Sequence, residues 1–111
     1  MEYKQLEEKV IQWGADKGIL EKSNPIRQLQ KTQEELNETM QALVQFADAK
    51  TDKAKQDALD EVIDGIGDML VTIILLSKIV GVETVPCLES AYNIIAARTG
   101  KMENGFFVKD K

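Results

Sequence analysis

Two short acidic runs are the parts of this 111-residue chain best equipped to do chemistry. The first, Glu34-Glu35-Leu36-Asn37-Glu38, places Glu35 and Glu38 three residues apart. On a helix that spacing stacks both side chains on one face, one turn from each other, so two carboxylates can reach one ion. The second, Glu61-Val62-Ile63-Asp64, repeats the arrangement, and Asp68 extends its face by a further turn. Enough chain separates Glu38 from Glu61 to finish one helix, turn, and bring an antiparallel helix alongside. The two acidic pairs can then face each other across a helix seam.

Like charges along a helix face repel one another. Asp64 and Asp68 are also flanked by Ile63, Ile66, Met69 and Leu70, and carboxylates that are crowded and partly desolvated are costly unless a hard cation shares them. Magnesium suits such a set, because it prefers oxygen ligands and keeps waters that substrate phosphates can replace. The plainer alternative is a solvated acidic face, common on helix surfaces. It accounts well for Glu34, Glu35 and Glu38 alone, and less well for Glu61, Asp64 and Asp68 beside a strongly apolar helix. The joint pattern on consecutive helices favours a metal centre. Cations for phosphate recognition are available in Lys31, a turn before Glu35 on the same face, and in Arg98, Lys101 and Lys109. Trp13 can stack on a base, although its spacing with Leu6 and Val10 equally suits a core position.

Four helices are expected to carry these residues. The first runs from about Glu2 to Lys17, with Gly18 as its stop. Ser23-Asn24-Pro25 joins a capping side chain to a proline at the first helical position and starts a second helix, which reaches about Ala49. Its apolar stripe is Leu29, Leu36, Met40, Leu43 and Ala47. A polar turn, Lys50 to Lys55, leads to a third helix from near Asp57 to Val80, with Leu59, Val62, Ile63, Ile66 and Leu70 on its core side. From Met69 onward that helix is apolar nearly all round and needs cover on every face, which a second subunit would supply. Thr84 caps a fourth helix to Thr99, and the tail around Gly105-Phe106-Phe107-Val108 reads as a short extended piece packing on a neighbour.

Composition narrows the function classes. Apolar residues make up 43% of the chain and aromatics only 5%, with two prolines, which favours packed helices over a sheet sandwich. Nineteen acids against 14 bases give a net charge of −5, a balance that repels a phosphate backbone and argues against nucleic-acid binding. Bound divalent cations would reverse that charge locally, so a nucleotide remains an acceptable ligand. The single cysteine, Cys87, cannot form an internal disulfide and is expected to be a small buried hydrophobe. No segment reads as a signal peptide, and the most apolar run falls short of the roughly 18 residues of a membrane span. A cytoplasmic protein without a membrane partner is expected.

With these residues in place, the chain resembles the MazG-like superfamily of all-α nucleoside-triphosphate pyrophosphohydrolases, particularly its short phage-type members. The family pattern E-E-x-x-E, a spacer, then E-x-x-D is met by Glu34, Glu35, Glu38, Glu61 and Asp64. The similarity extends from Gln28-Leu29-Gln30-Lys31 to the tail Arg98-Thr99-Gly100-Lys101-Met102. In many relatives the aspartate runs directly into an apolar pair, which would put Asp68-Met69-Leu70 in the slot. The ungapped register keeps both Glu61 and Asp64, and leaves Asp68 as an extra ligand or a residue facing the nucleotide.

The resemblance implies a four-helix, bundle-like fold assembled as a homodimer or a dimer of dimers. It implies Mg²⁺, with Mn²⁺ as a substitute, held by Glu34, Glu35, Glu38, Glu61, Asp64 and Asp68. The reaction would be hydrolysis of a (deoxy)nucleoside triphosphate to monophosphate and pyrophosphate, with Glu35 or Glu38 orienting or deprotonating the water. Lys31, Trp13, Asn93, Arg98 and Lys101 are the substrate-binding candidates, and tail residues reach a neighbouring subunit's site. Two rivals fall on the residues themselves: no G-x-x-x-x-G-K-[ST] loop occurs, and a di-iron bundle wants Glu-x-x-His pairs in a chain that has no histidine. A catalytically silent helical homodimer, acting as a binding or regulatory module, is the remaining alternative.

Overall fold

A computed structural model describes all residues from Met1 to Lys111. The helices begin and end where local chemistry supplies the missing backbone partners. In α1 (Tyr3–Asp16), the Glu2 N–H donates to Gln5 Oε1 at 2.9 Å. Gly18, at φ 80°, breaks the helix as expected, but one further turn, α2 (Ile19–Lys22), follows it. At the head of α3 (Pro25–Asp48), Asn24 Oδ1 accepts from the Arg27 N–H at 2.9 Å, and Pro25 occupies the position where a donor is not needed. α4 (Asp52–Val80) starts more than a turn ahead of the expected Asp57. Thr51 Oγ1 accepts from the Ala54 N–H at 3.1 Å, so the polar stretch read as a turn is the capped first turn of the helix. Gly81, at φ 85°, closes α4.

The C-terminal region departs furthest from expectation. The chain turns by 101° into α5 (Thr84–Ile95), which ends a turn short of Thr99. Thr84 does not cap it; its hydroxyl bonds instead to Glu7 and Tyr3, tying the start of α5 to α1. An antiparallel hairpin follows, β1 (Gly100–Glu103) with β2 (Phe106–Lys109), Gly100 opposite Lys109 and Glu103 opposite Phe106. Asn104 and Gly105 both take positive φ, 50° and 84°, the conformation a two-residue hairpin turn requires.

α3 and α4 form an antiparallel pair, with Thr32 meeting Thr72 and Thr39 meeting Gly65, while α1 lies across α4. The buried apolar residues are few: Ala42, Ala58, Val62, Ile74 and Leu75. α5 packs on α4 and is tied to α1 only through Thr84, and the hairpin touches no other element, so a closed four-helix bundle does not form within one chain. Of the apolar stripes expected to face the core on α3 and α4, only Val62 is buried. Leu29, Leu36, Met40 and Leu43 on α3, and Leu59, Ile63, Ile66 and Leu70 on α4, are between 37% and 58% exposed. The seam is instead built from small and polar residues: Gln28, Glu35, Thr39 and Ala42 against Ala58, Val62, Gly65 and Thr72. A helix pair has one seam, and the acidic stripe with its small neighbours occupies it. Cys87, expected to be buried, is exposed. No single helix is long and apolar enough to cross a membrane.

Candidate functional site

The α3–α4 seam opens into a cleft of about 300 Å³ lined by Glu35, Glu38, Glu61, Asp64 and Asp68. Thr39, Gly65, Gln41 and Gln45 complete it, and no apolar side chain takes part. Five of the six acids singled out in the sequence therefore converge from two helices. Glu34 does not; its side chain is 58% exposed and pairs with Lys31 at 3.3 Å. Asp64 and Asp68 both line the cleft, so the two registers considered for the second motif differ over residues that share one site.

Close approach of the backbones makes this convergence possible. A Cβ on Gly65 would lie well inside van der Waals contact distance of Thr39 Oγ1 and 3.1 Å from Thr39 Cβ. Thr39 cannot swing aside freely, because its hydroxyl donates to the Glu35 carbonyl at 2.7 Å. Gly65 and Thr39 thus set the spacing at which Glu61, Asp64 and Asp68 meet Glu35 and Glu38. Neither residue stood out in the sequence, although Gly65 interrupts an otherwise strong helix between two of the acids and could have signalled it.

Glu35 is the most constrained acid, only 8% exposed. Burial pushes its carboxyl above the usual glutamate range, the charges of Glu38 and Asp68 push the same way, and Lys31 opposes them from 3.6 Å. Lys31 in turn is held above its ordinary value, first by its hydrogen bond to Glu34. A carboxyl whose proton affinity is raised by folding destabilises the folded state once it ionises. That penalty is absent below the ordinary glutamate pKa, grows as pH rises towards the raised value, and is complete above it. Glu35→Gln is therefore expected to raise Tm at pH 7 in metal-free buffer and to leave it unchanged at pH 3, as circular dichroism melts would read.

No three of these carboxylates stand close enough together to grip an ion in the arrangement observed. The donor chemistry nevertheless fits a hard divalent cation: five carboxylates beside amide and hydroxyl groups, no imidazole or thiolate, and a buried Glu35 that two neighbouring charges press towards protonation.

Glu35 and Asp68 also line a second slot of about 450 Å³, whose walls include Trp13, Gln28, Lys31 and Leu75. Trp13 is 46% exposed, so the core position its spacing allowed is not the one it takes. Gln28 and Thr72 belong to the slot and were missed in the sequence. The signal was there in the stepping Gln28, Thr32, Glu35, Thr39, which is one helical stripe. Asn93, Arg98 and Lys101 do not come to the site. They lie on α5 and beyond it, and the exposed Lys101 pairs with Glu103 at 3.4 Å. Comparison with family models, curated proteins and solved structures returns no match, so the functional reading rests on the residues of this chain.

Proposed function

We propose that the chain is a Mg²⁺-dependent nucleoside-triphosphate pyrophosphohydrolase of MazG-like type, releasing monophosphate and pyrophosphate and cleansing nucleotide pools in the cytoplasm. The supporting observation is the junction of two unlike spaces: a cleft lined by five carboxylates and a slot with an aromatic wall, joined through Glu35 and Asp68 with Lys31 beside them. Magnesium, or manganese in its place, would be held by Glu35, Glu38, Glu61, Asp64 and Asp68, and supplies Lewis acidity towards phosphate oxygens and water when bound. Lys31 offers a point charge to the phosphates from the same helix face. Glu35, buried and of raised proton affinity, and the more exposed Glu38 are the two groups able to orient the attacking water and accept its proton.

The exposed stripes on α3 and α4, together with an α5 that has no buried residue, support assembly as a homodimer or a dimer of dimers. A chain of this size gains from covering such surface. The far end of α5 and the hairpin, which packs on no other element of its own chain, are suited to reach another subunit and carry Asn93, Arg98 and Lys101 to that cleft. The second reading, a silent homodimeric binding module, draws support from the absence of a ready-made carboxylate trio.

The deciding experiment incubates the protein with Mg²⁺ and a panel of ribo- and deoxynucleoside triphosphates, with products separated by ion exchange. Monophosphate plus pyrophosphate is the expected outcome. Diphosphate plus orthophosphate would sink the mechanism, and no turnover with either Mg²⁺ or Mn²⁺ would leave the binding module.

A further inference from the structure

Beside the acidic cleft, the second slot differs in kind from everything around it. Trp13 supplies a flat, half-exposed face, Val71 and Leu75 supply apolar walls, and a single amide, that of Gln28, reaches into the lining. We propose that this slot receives the nucleobase and that Gln28 discriminates among bases. The proposal rests on the acidic cleft being the phosphate end of the site.

Register along α3 supports the assignment. Glu35 and Gln28 are two turns apart, about 10 Å along the axis, which matches the reach of a nucleoside from its α-phosphate to the far edge of its base. Lys31 stands between them, one turn from either. The walls suit a heteroaromatic ring: Trp13 offers an aromatic face for stacking, Ile19, Val71 and Leu75 offer aliphatic carbons, and beside Arg27, Lys31, Thr72 and the two acids, Gln28 supplies the one amide able to read a base edge. Gln28 is only 9% exposed, and its Nε2 donates to Ser23 Oγ at 2.9 Å, which fixes the plane of the amide. The amide oxygen accepts no bond from the chain and is not sealed from solvent. An oriented acceptor left free in the slot favours a base that presents an N–H at that point over one that does not.

Trp13 is the only tryptophan, so its fluorescence reports the slot without any need for turnover. The experiment titrates the protein, in Mg²⁺, with the four common ribonucleoside monophosphates and with ribose 5-phosphate as the probe that lacks a base. Expected are saturable quenching by the monophosphates, at least about a tenfold spread in their affinities, and no quenching by ribose 5-phosphate at the same concentrations. Gln28→Leu should keep the quenching and shrink the spread to about twofold. Ser23→Ala, which frees the amide without disturbing a buried volume, should shrink it in the same direction and stands in if the leucine variant misfolds. Equal quenching by ribose 5-phosphate, or an unchanged spread in the variants, overturns the proposal. The hydrolysis panel fails independently: selective quenching without turnover of any triphosphate upholds the base slot and removes the enzyme, whereas turnover with no base-dependent quenching does the reverse.

Discussion

Glu38→Ala is expected to abolish triphosphate turnover while leaving the size of the assembly unchanged. Glu38 lies on the exposed side of the cleft, makes no hydrogen bond or ion pair, and bears on the site by pushing the Glu35 carboxyl towards protonation. Its removal takes away one candidate metal ligand and one candidate water-orienting group without opening a cavity. A lost general base alone lowers rates by about 10²–10⁴-fold, and a lost ligand adds to that. Stability should hold or rise slightly, because alanine is the better helix former and one like charge leaves the cluster. The pair of measurements is therefore kcat by pyrophosphate release and mass by sedimentation. Turnover falling at constant mass fits an enzyme. Full turnover in the variant would remove Glu38 from the mechanism, and a change of mass would mean that Glu38 serves assembly.

The acidic centre was legible in the sequence because its signal is local. Residues three and four apart on a helix share a face whatever packs against it, so Glu35, Glu38, Glu61, Asp64 and Asp68 could be grouped before any fold was known. The caps were equally local, and Asn24-Pro25 and Gly81 sit where their chemistry requires. Which face of each helix lies inward was not legible. Hydrophobic periodicity says that Leu36, Met40, Ile63 and Ile66 seek cover, but it does not say whether their own chain supplies it. Here the polar stripe takes the seam and the apolar stripes face outward. The hairpin is half legible: the tail around Gly105–Val108 reads as extended and forms β2, but its pairing partner is β1 of the same chain, joined through the Asn104-Gly105 turn, rather than a neighbour. Trp13 shows the same limit from the other side. Its spacing allowed either core or ligand contact, and only the position of α1 across α4 places it beside Glu35 and Asp68.

Two glycines in α4, close in sequence, should respond to alanine with opposite signs. Gly67 has open space where a Cβ would go, so Gly67→Ala should gain about 1 kcal/mol from helix propensity alone. Gly65→Ala receives the same gain but drives a methyl into Thr39, whose hydroxyl is tied to the Glu35 carbonyl. Overpacking of that kind costs about 1–3 kcal/mol, so the net change should be a loss, read as a Tm lowered by several degrees. The larger effect falls on activity. Relief of the clash means moving α4 away from α3, and that movement carries Glu61, Asp64 and Asp68 away from Glu35 and Glu38. Misplacement by about 1 Å can lower turnover about 10²-fold. Thr39→Ala removes the obstructing hydroxyl and methyl, so the Gly65→Ala/Thr39→Ala double variant should recover part of both stability and turnover, a coupling that additive effects would not produce. Loss of turnover in Gly67→Ala, or none in Gly65→Ala, would show that the spacing of α3 and α4 does not set the geometry of the carboxylates.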